Sequence, residues 1–80
     1  MNRNWLEKAM QSRGMTYYQL RYKHRISPDT FTAWENGQAA KPDTLRRLAQ
    51  ALDMQYLTLV KNLGVKVLNA ARLRRARAKG

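Results

Sequence analysis

The stretch from residue 16 to residue 37, TYYQLRYKHRISPDTFTAWENG, contains start signals for two short helices separated by a tight turn. Thr16 followed three residues later by Gln19 forms a capping box, which marks the beginning of a helix. Ser27 followed by Pro28 marks a second beginning, because a proline in the first turn lacks only an N–H that has no helical partner. Two capped helices at this spacing predict a helix-turn-helix.

The apolar residues of this stretch predict which sides of the two helices face a core. Phe31 and Trp34 are three residues apart on the second helix and therefore share one face. Gly37 follows them and ends the helix, since glycine readily adopts the left-handed conformation found there. On the first helix, the apolar residues are Leu20 and Tyr22.

In these residues the chain resembles the lambda-repressor/Cro-type (Xre-like) helix-turn-helix DNA-binding family. The matching positions are Thr16, Leu20, Ile26, Ser27, Phe31, Trp34, Glu35 and Gly37. The likeness continues through Pro42, Leu45, Leu48, Ala49, Ala51 and Leu52. The resemblance implies a sequence-specific regulator that binds double-stranded DNA, most simply a repressor on a palindromic operator, acting as a homodimer.

Four positions depart from the family's pattern. Tyr17 stands where the family usually has Gln, Arg21 where it has Ala, and Arg25 where it has the glycine of the turn. Met10 replaces a basic residue of the first helix that often pairs with Glu35. We therefore expect Arg21 either to lay its aliphatic stem past the tryptophan of the second motif helix or to pair with Glu35 in place of the missing base.

The hydrophobic periodicity of the chain predicts five helices, at residues 3–13, 17–24, 28–36, 44–52 and 55–63. Asp43 is the expected N-cap of the fourth helix, and Asp53 is expected in the left-handed conformation after it. The predicted fold class is all-α, a five-helix lambda-repressor-like DNA-binding domain over residues 1–63. A basic C-terminal extension, residues 64–80, follows, either as a sixth helix through Val65, Leu68 and Ala71 or as a disordered tail.

The distribution of charge indicates a polyanionic partner. The 80-residue chain has a formal net charge of +11, and residues 61–80 contain seven basic residues and no acidic one. Nucleic acid is the first candidate and an acidic membrane the second. No apolar run approaches a membrane span and the N-terminus has no apolar signal region, so we expect a soluble cytoplasmic protein with no membrane partner.

The second helix of the motif is expected to enter the major groove of DNA. Its outward residues, and therefore its candidate base contacts, are Pro28, Asp29, Thr32 and Ala33. Asp29 can accept a hydrogen bond from cytosine N4, or it can serve only to stabilise the helix N-terminus. By the resemblance, the candidate phosphate contacts are Thr16, Tyr17, Asn36, Gln38 and Lys41.

Two further surfaces are predicted in the C-terminal part of the chain. The apolar residues of the fifth helix, Tyr56, Leu57, Leu59 and Val60, could all belong to the core. The resemblance implies instead that they form a homodimer interface, and the excess of apolar surface on this helix favours that interpretation. The basic tail is expected to contact the DNA backbone through Arg72, Arg74, Arg75, Arg77 and Lys79. An acidic protein partner and simple solubility are the alternatives for the tail.

Two other functions remain open from the sequence. The chain could be an antitoxin that also neutralises a toxin, or an interaction module that has lost DNA reading, for which Tyr17, Arg21 and Arg25 are the signs. No enzyme activity, cofactor or metal site is predicted. The chain has no cysteine, and His24, its one histidine, is expected to be a half-buried filler.

Overall fold

The computed structural model describes residues 1–68, which fold into five α-helices with no strand among them. The helices are α1 (Arg3–Ser12), α2 (Tyr17–His24), α3 (Pro28–Glu35), α4 (Pro42–Ala51) and α5 (Tyr56–Leu63). Helix α4 packs against α2 and α5, and α1 packs against α5. The predicted all-α, five-helix class is confirmed. Within residues 1–68, no helix has the length and apolar character needed to span a membrane.

The capping signals at the starts of α2 and α3 act as predicted. The Gln19 N–H donates to the Thr16 hydroxyl at 3.2 Å, and the Thr16 N–H donates to Gln19 Oε1 at 3.0 Å. At the start of α3, the Asp29 N–H donates to Ser27 Oγ at 3.3 Å, and Pro28 is the first helical residue. Local hydrogen bonds therefore fix the first residue of both helices of the motif.

The predicted start of α4 was wrong. Asp43 is not the N-cap; the helix begins at Pro42, with Lys41 as an N-cap whose side chain makes no capping hydrogen bond. The backbone angle of a proline suits the first helical position, so the helix includes Pro42 and places Asp43 in its first turn. There the Asp43 carboxylate lies 3.6 Å from Nε of Arg47, one turn along the helix.

Among residues 1–68, two residues other than glycine adopt the left-handed conformation. Asp53, with φ +52°, follows α4 as predicted, and Arg25, with φ +58°, ends α2 at the position where the family has glycine. The Arg25 carbonyl accepts a hydrogen bond from Arg47 Nη1 at 3.2 Å. A left-handed residue with a side chain costs about 1–2 kcal/mol. The turn of the motif therefore forms without its glycine, tied to α4 through Arg47.

A single apolar core joins the five helices. Its buried members are Leu6, Met10, Leu20, Ile26, Phe31, Trp34, Ala40, Leu45, Leu48, Ala49, Ala51, Leu52, Leu59 and Leu63. Tyr22, the other apolar residue of α2 noted in the sequence, does not belong to this core, since 65% of its surface is exposed. It lies two residues after the buried Leu20, and two residues on a helix turn a side chain by about 200°, to the opposite face.

Residues 65–68, which follow α5, are not helical. Val67 forms an isolated parallel bridge with Ala40, in the loop between α3 and α4. Of the two alternatives for the extension, the sixth helix is therefore not formed at Val65 and Leu68, and Val65 packs against the core. Residues 69–80, the larger part of the predicted extension, lie outside the described residues.

Candidate nucleic-acid interface

A side chain from α1 fixes α2 and α3 relative to one another. Arg3 donates from Nη1 to the Tyr17 hydroxyl at 3.0 Å and from Nη2 to the Glu35 carboxylate. The Tyr17 hydroxyl in turn donates to Glu7 Oε2 at 2.9 Å. The Arg3 guanidinium carbon also lies 5.8 Å from the centroid of the Phe31 ring. The start of α2 and the end of α3 are thus joined through one guanidinium.

The protonation states in this network follow from its hydrogen bonds. The hydrogen bond from Arg3 holds the pKa of the Glu35 carboxyl below its ordinary value, and the same bond raises the pKa of Arg3. Burial raises the pKa of the Tyr17 phenol, and its hydrogen bond to Glu7 raises it further against the opposing hydrogen bond from Arg3. At neutral pH, Arg3 and Glu35 are therefore an ion pair and Tyr17 is a neutral phenol.

The expected role of Arg21 was wrong. Arg3 rather than Arg21 pairs with Glu35, while Arg21 is exposed and its guanidinium carbon lies 5.5 Å from the centroid of the Tyr22 ring. Arg3 precedes Met10 by seven residues, which is two helical turns, so the two lie on the same side of α1. The basic residue that the family has at the position of Met10 is therefore replaced by Arg3, at the start of the same helix. The seven-residue spacing in the sequence could have indicated this substitution.

The predicted base-contacting residues of α3 fall into two groups. Asp29 and Thr32 are exposed, whereas Pro28 and Ala33 are half-buried. Phe31 and Trp34 are buried on the opposite side, as the spacing predicted. The outward surface of α3 therefore presents a carboxylate and a hydroxyl and carries no cation.

The predicted phosphate contacts differ in how free their polar atoms are. Asn36, Gln38 and Lys41 are exposed after α3. Thr16 is also exposed, and its hydroxyl accepts from Gln19 while its own hydrogen remains available. Tyr17 differs, because a phenol has one hydrogen to donate and Tyr17 donates it to Glu7. A phosphate would have to compete with Glu7 for that hydrogen.

A shallow groove brings two of these residues together between the end of α3 and the start of α4. Gln38 and Lys41 line it with Thr30, Ala33 and Thr44. The α4 N-terminus has no side-chain cap, and uncapped helix N–H groups together with an ammonium group suit a phosphate oxygen. The sequence reasoning missed the two threonines, although each lies three residues from a predicted member along the chain.

The predicted dimer interface requires one correction. Leu59 is fully buried in the core of the monomer, so it is not available to a second copy. It lies one turn before the buried Leu63, on the side of α5 that faces the domain. Leu57 is 76% exposed, and Tyr56 and Val60 are half-buried, so these three residues remain at the surface.

The remaining predicted features are located as follows. His24 is half-buried, as predicted. Across residues 1–68 the structure contains no group of three His, Cys, Asp or Glu side chains arranged to hold a metal ion. The predicted backbone contacts of the tail, Arg72, Arg74, Arg75, Arg77 and Lys79, lie outside the described residues.

The described fold and its α2–turn–α3 unit define a helix-turn-helix domain. The sequence model of the Cro/C1-type HTH DNA-binding domain family matches residues 5–61, a range that contains the entire unit. The chain belongs to this family, which supports a role as a DNA-binding regulator. No curated protein and no solved structure matched the chain. Arg3 and the extended segment 65–68 lie outside the matched range.

Proposed function

We propose that this protein is a transcriptional repressor that binds a palindromic operator in double-stranded DNA as a homodimer. The observation that supports the proposal most is the fixed presentation of α3. Its inner side is held by Phe31 and Trp34 in the core, and its C-terminal end is held by the ion pair of Glu35 with Arg3. A helix held at both its face and its end can present the same side chains to every site it meets, as base readout requires.

Base reading is assigned to the outer surface of α3. Asp29 accepts a hydrogen bond from a cytosine amino group, and Thr32 contacts a base edge or a thymine methyl. Pro28 and Ala33, which are half-buried, add apolar contact at the margin. None of these four residues is basic, so α3 contributes base selectivity and little of the charge-based affinity.

Phosphate binding is assigned to residues on either side of α3. Thr16 contacts the backbone at the start of α2, and Tyr17 positions that helix through its hydrogen bonds to Arg3 and Glu7. Asn36, Gln38 and Lys41 contact the backbone beyond α3, where Thr30 and Thr44 complete the groove. The basic tail adds contacts that do not depend on sequence, through Arg72, Arg74, Arg75, Arg77 and Lys79.

The homodimer is assigned to the exposed side of α5. Leu57 is the centre of this surface, with Tyr56 and Val60 beside it. A palindromic operator requires that this dimer hold its two copies of α3 about 34 Å apart, which is one turn of DNA. Repression follows where the bound dimer covers DNA that a polymerase must occupy.

Selection of bound sites from a randomised duplex library tests the proposal. The parent protein is expected to return a two-fold symmetric motif. Asp29→Ala and Thr32→Ala are each expected to change the preferred bases, with discrimination altered by about 1–3 kcal/mol at the affected position. Asn36→Ala is expected to weaken binding to all sequences equally, because it removes a backbone contact.

Asp43→Ala is the matched control for Asp29→Ala. Both residues are exposed acids in the first turn of a helix that begins with proline, but Asp43 belongs to α4. Its replacement removes the same charge and should leave the selected motif unchanged. An identical motif for the parent, Asp29→Ala and Thr32→Ala would remove α3 from base readout, and a motif without symmetry would contradict the homodimer.

A further inference from the structure

The extended segment after α5 is bound to the loop that precedes α4. We name residues 65–68 the C-terminal clip. The Ala40 N–H donates to the Lys66 carbonyl at 2.7 Å, and the Leu68 N–H donates to the Ala40 carbonyl at 2.8 Å. Both backbone polar groups of Ala40 are therefore satisfied by the clip.

Ala40 cannot readily exchange these hydrogen bonds for water. It is fully buried, and a buried backbone group without a partner costs about 1–3 kcal/mol. On the other side of the bridge, Val65 packs against the core and anchors the clip to the domain. The loop and the clip therefore hold each other in place, although 27 positions separate Ala40 from Val67 in the numbering.

The clip joins the loop at the point where the proposed phosphate contacts lie. Gln38 and Lys41 are two residues before and one residue after Ala40, and both line the groove at the start of α4. Lys66 is exposed and bonds directly to Ala40 through its carbonyl. Since side chains alternate along an extended segment, Lys66 lies on the opposite side from Val65, which packs on the core.

We infer that the C-terminal clip is a working part of the DNA interface. It holds the loop of Gln38 and Lys41 in the arrangement that binds phosphate, and it adds Lys66 as a further phosphate contact beside them. The inference rests on the proposed function in that its ligand is the phosphate backbone of duplex DNA. It extends the interface to residues 65–68, beyond the range 5–61 that the family model matches.

Two proline substitutions in the 80-residue protein test the hydrogen bond between the clip and Ala40. Leu68→Pro removes the N–H that donates to Ala40, whereas the N–H of Val67 donates to no backbone acceptor within residues 1–68. Val67→Pro is therefore the matched control, and the two side chains are each 37% exposed. Proline and the residue before it both accept extended backbone, so neither change is expected to disturb the helices.

Two measurements are made on each variant. Hydrogen exchange at the Ala40 amide reports whether the clip is closed, and affinity for a mixed-sequence duplex as a function of salt reports phosphate contacts. Leu68→Pro is expected to speed exchange at Ala40, weaken DNA binding and flatten the dependence of log K on log salt. Val67→Pro is expected to match the parent in both measurements.

Lys66→Gln tests the added contact alone. It is expected to leave exchange at Ala40 unchanged and to flatten the salt slope by about 0.9, the value for one phosphate. An unchanged slope would overturn the role of Lys66. Faster exchange in Leu68→Pro with unchanged DNA binding would overturn the inference as a whole and leave the clip a purely structural contact.

DNA binding by the parent protein at low salt distinguishes failure of this inference from failure of the proposed function. A parent that binds no duplex at low salt contradicts the proposed function and overturns the inference with it. A parent that binds DNA while Leu68→Pro binds it equally well overturns the inference alone.

Discussion

Helices α3 and α5 are built alike on the inside. Each contains eight residues, and each has two buried residues with side chains three or four positions apart. In α3 these are Phe31 and Trp34, whose rings meet edge to face with centroids 5.5 Å apart. In α5 they are Leu59 and Leu63, both fully buried. Both helices are therefore anchored in the core by a pair of apolar residues on one face.

The outer surfaces of the two helices are opposite in character. Helix α3 exposes Asp29 and Thr32, short polar side chains that can form hydrogen bonds with base edges. Helix α5 exposes Leu57, with the half-buried Tyr56 and Val60 beside it, together with Thr58, Lys61 and Asn62. The apolar part of this surface suits contact with another protein. Two helices anchored in the same way thus carry different outward residues, and the proposed roles of α3 in DNA binding and of α5 in self-association rest on that difference.

The largest expected effect separates the two sides of α5. Leu59→Ala should lower the free energy of unfolding of the monomer by about 2–5 kcal/mol, because it leaves a cavity in the core. Leu57→Ala should change it by less than about 0.5 kcal/mol, because the side chain is exposed. Urea denaturation at low protein concentration measures both.

The same two variants sharpen the assignment of α5 to the dimer. Sedimentation over a range of concentrations should show that Leu57→Ala weakens self-association while the monomer keeps its stability. A parent that stays monomeric even with operator DNA, or a Leu57→Ala variant that associates as tightly as the parent, would contradict the interface. Either result would leave α5 with an apolar surface of no assigned role.

A second prediction concerns charge-based affinity for DNA, to which α3 contributes little because its outer surface carries no cation. Replacing Arg72, Arg74, Arg75, Arg77 and Lys79 together by Gln should flatten the dependence of log K on log salt by up to about 4.5, since each phosphate contact contributes about 0.9. The selected site should stay the same, because contacts to phosphates carry no sequence information. Fluorescence anisotropy at several salt concentrations gives the slope.

The outcome of the tail substitution also tests the contrast between specificity and affinity. An unchanged salt slope would mean that the tail does not contact DNA. A changed site preference would make the tail a reader of bases, and base selectivity would no longer belong to α3 alone. The control variant replaces each of the four arginines by Lys and Lys79 by Arg. It keeps the charge and should therefore preserve the salt slope.

The smallest expected effect concerns the attachment of α3 to α1. The pKa of Glu35 in the folded protein lies below its ordinary value of 4.5 because Arg3 donates a hydrogen bond to the carboxylate. Stability from this pair is therefore fully present above pH 4.5, where the unfolded chain is also ionised, and is lost as the pH falls through the lower, folded pKa. Urea denaturation at a series of pH values should show that the free energy of unfolding falls less between neutral and acidic pH in Glu35→Gln than in the parent. We call this fall the acid loss.

Arg3→Gln is the matched test of that pH dependence. Because Arg3 causes the lowered pKa of Glu35, its replacement should remove the same part of the acid loss, and the double variant should add nothing further. An Arg3→Gln protein with the full acid loss of the parent would show that the lowered pKa has another source. The attachment of α3 would then rest on its apolar side alone.

The local features of the fold were predictable from the sequence. The capping box of Thr16 with Gln19 joins residues three positions apart, and the cap of α3 by Ser27 spans two positions. The left-handed conformation of Asp53 after α4 was likewise predicted and confirmed. Each depends on residues within one helical turn, so the chain carries the necessary information locally.

The sequence did not determine which apolar residues of the short helices are buried. Leu59 was predicted in a dimer interface and is buried in the core, whereas Tyr22, an apolar residue of α2, is exposed. Apolar character gives the tendency to be buried but does not say which of several apolar residues on a short helix the neighbouring helices will cover. That depends on how α1 and α4 pack against α5 and on how α4 packs against α2.

The sequence by itself determined the family, the five helices, the caps of α2 and α3, and an outer surface of α3 that carries no cation. The tertiary structure decided the partner of Glu35, which is Arg3, 32 residues away, and the pairing of Ala40 with the clip after α5. The physical reason is the distance along the chain between the residues in contact. A cap is completed by its neighbours in the chain, whereas an ion pair or a bridge between distant segments forms only after the packing of the core has brought them together.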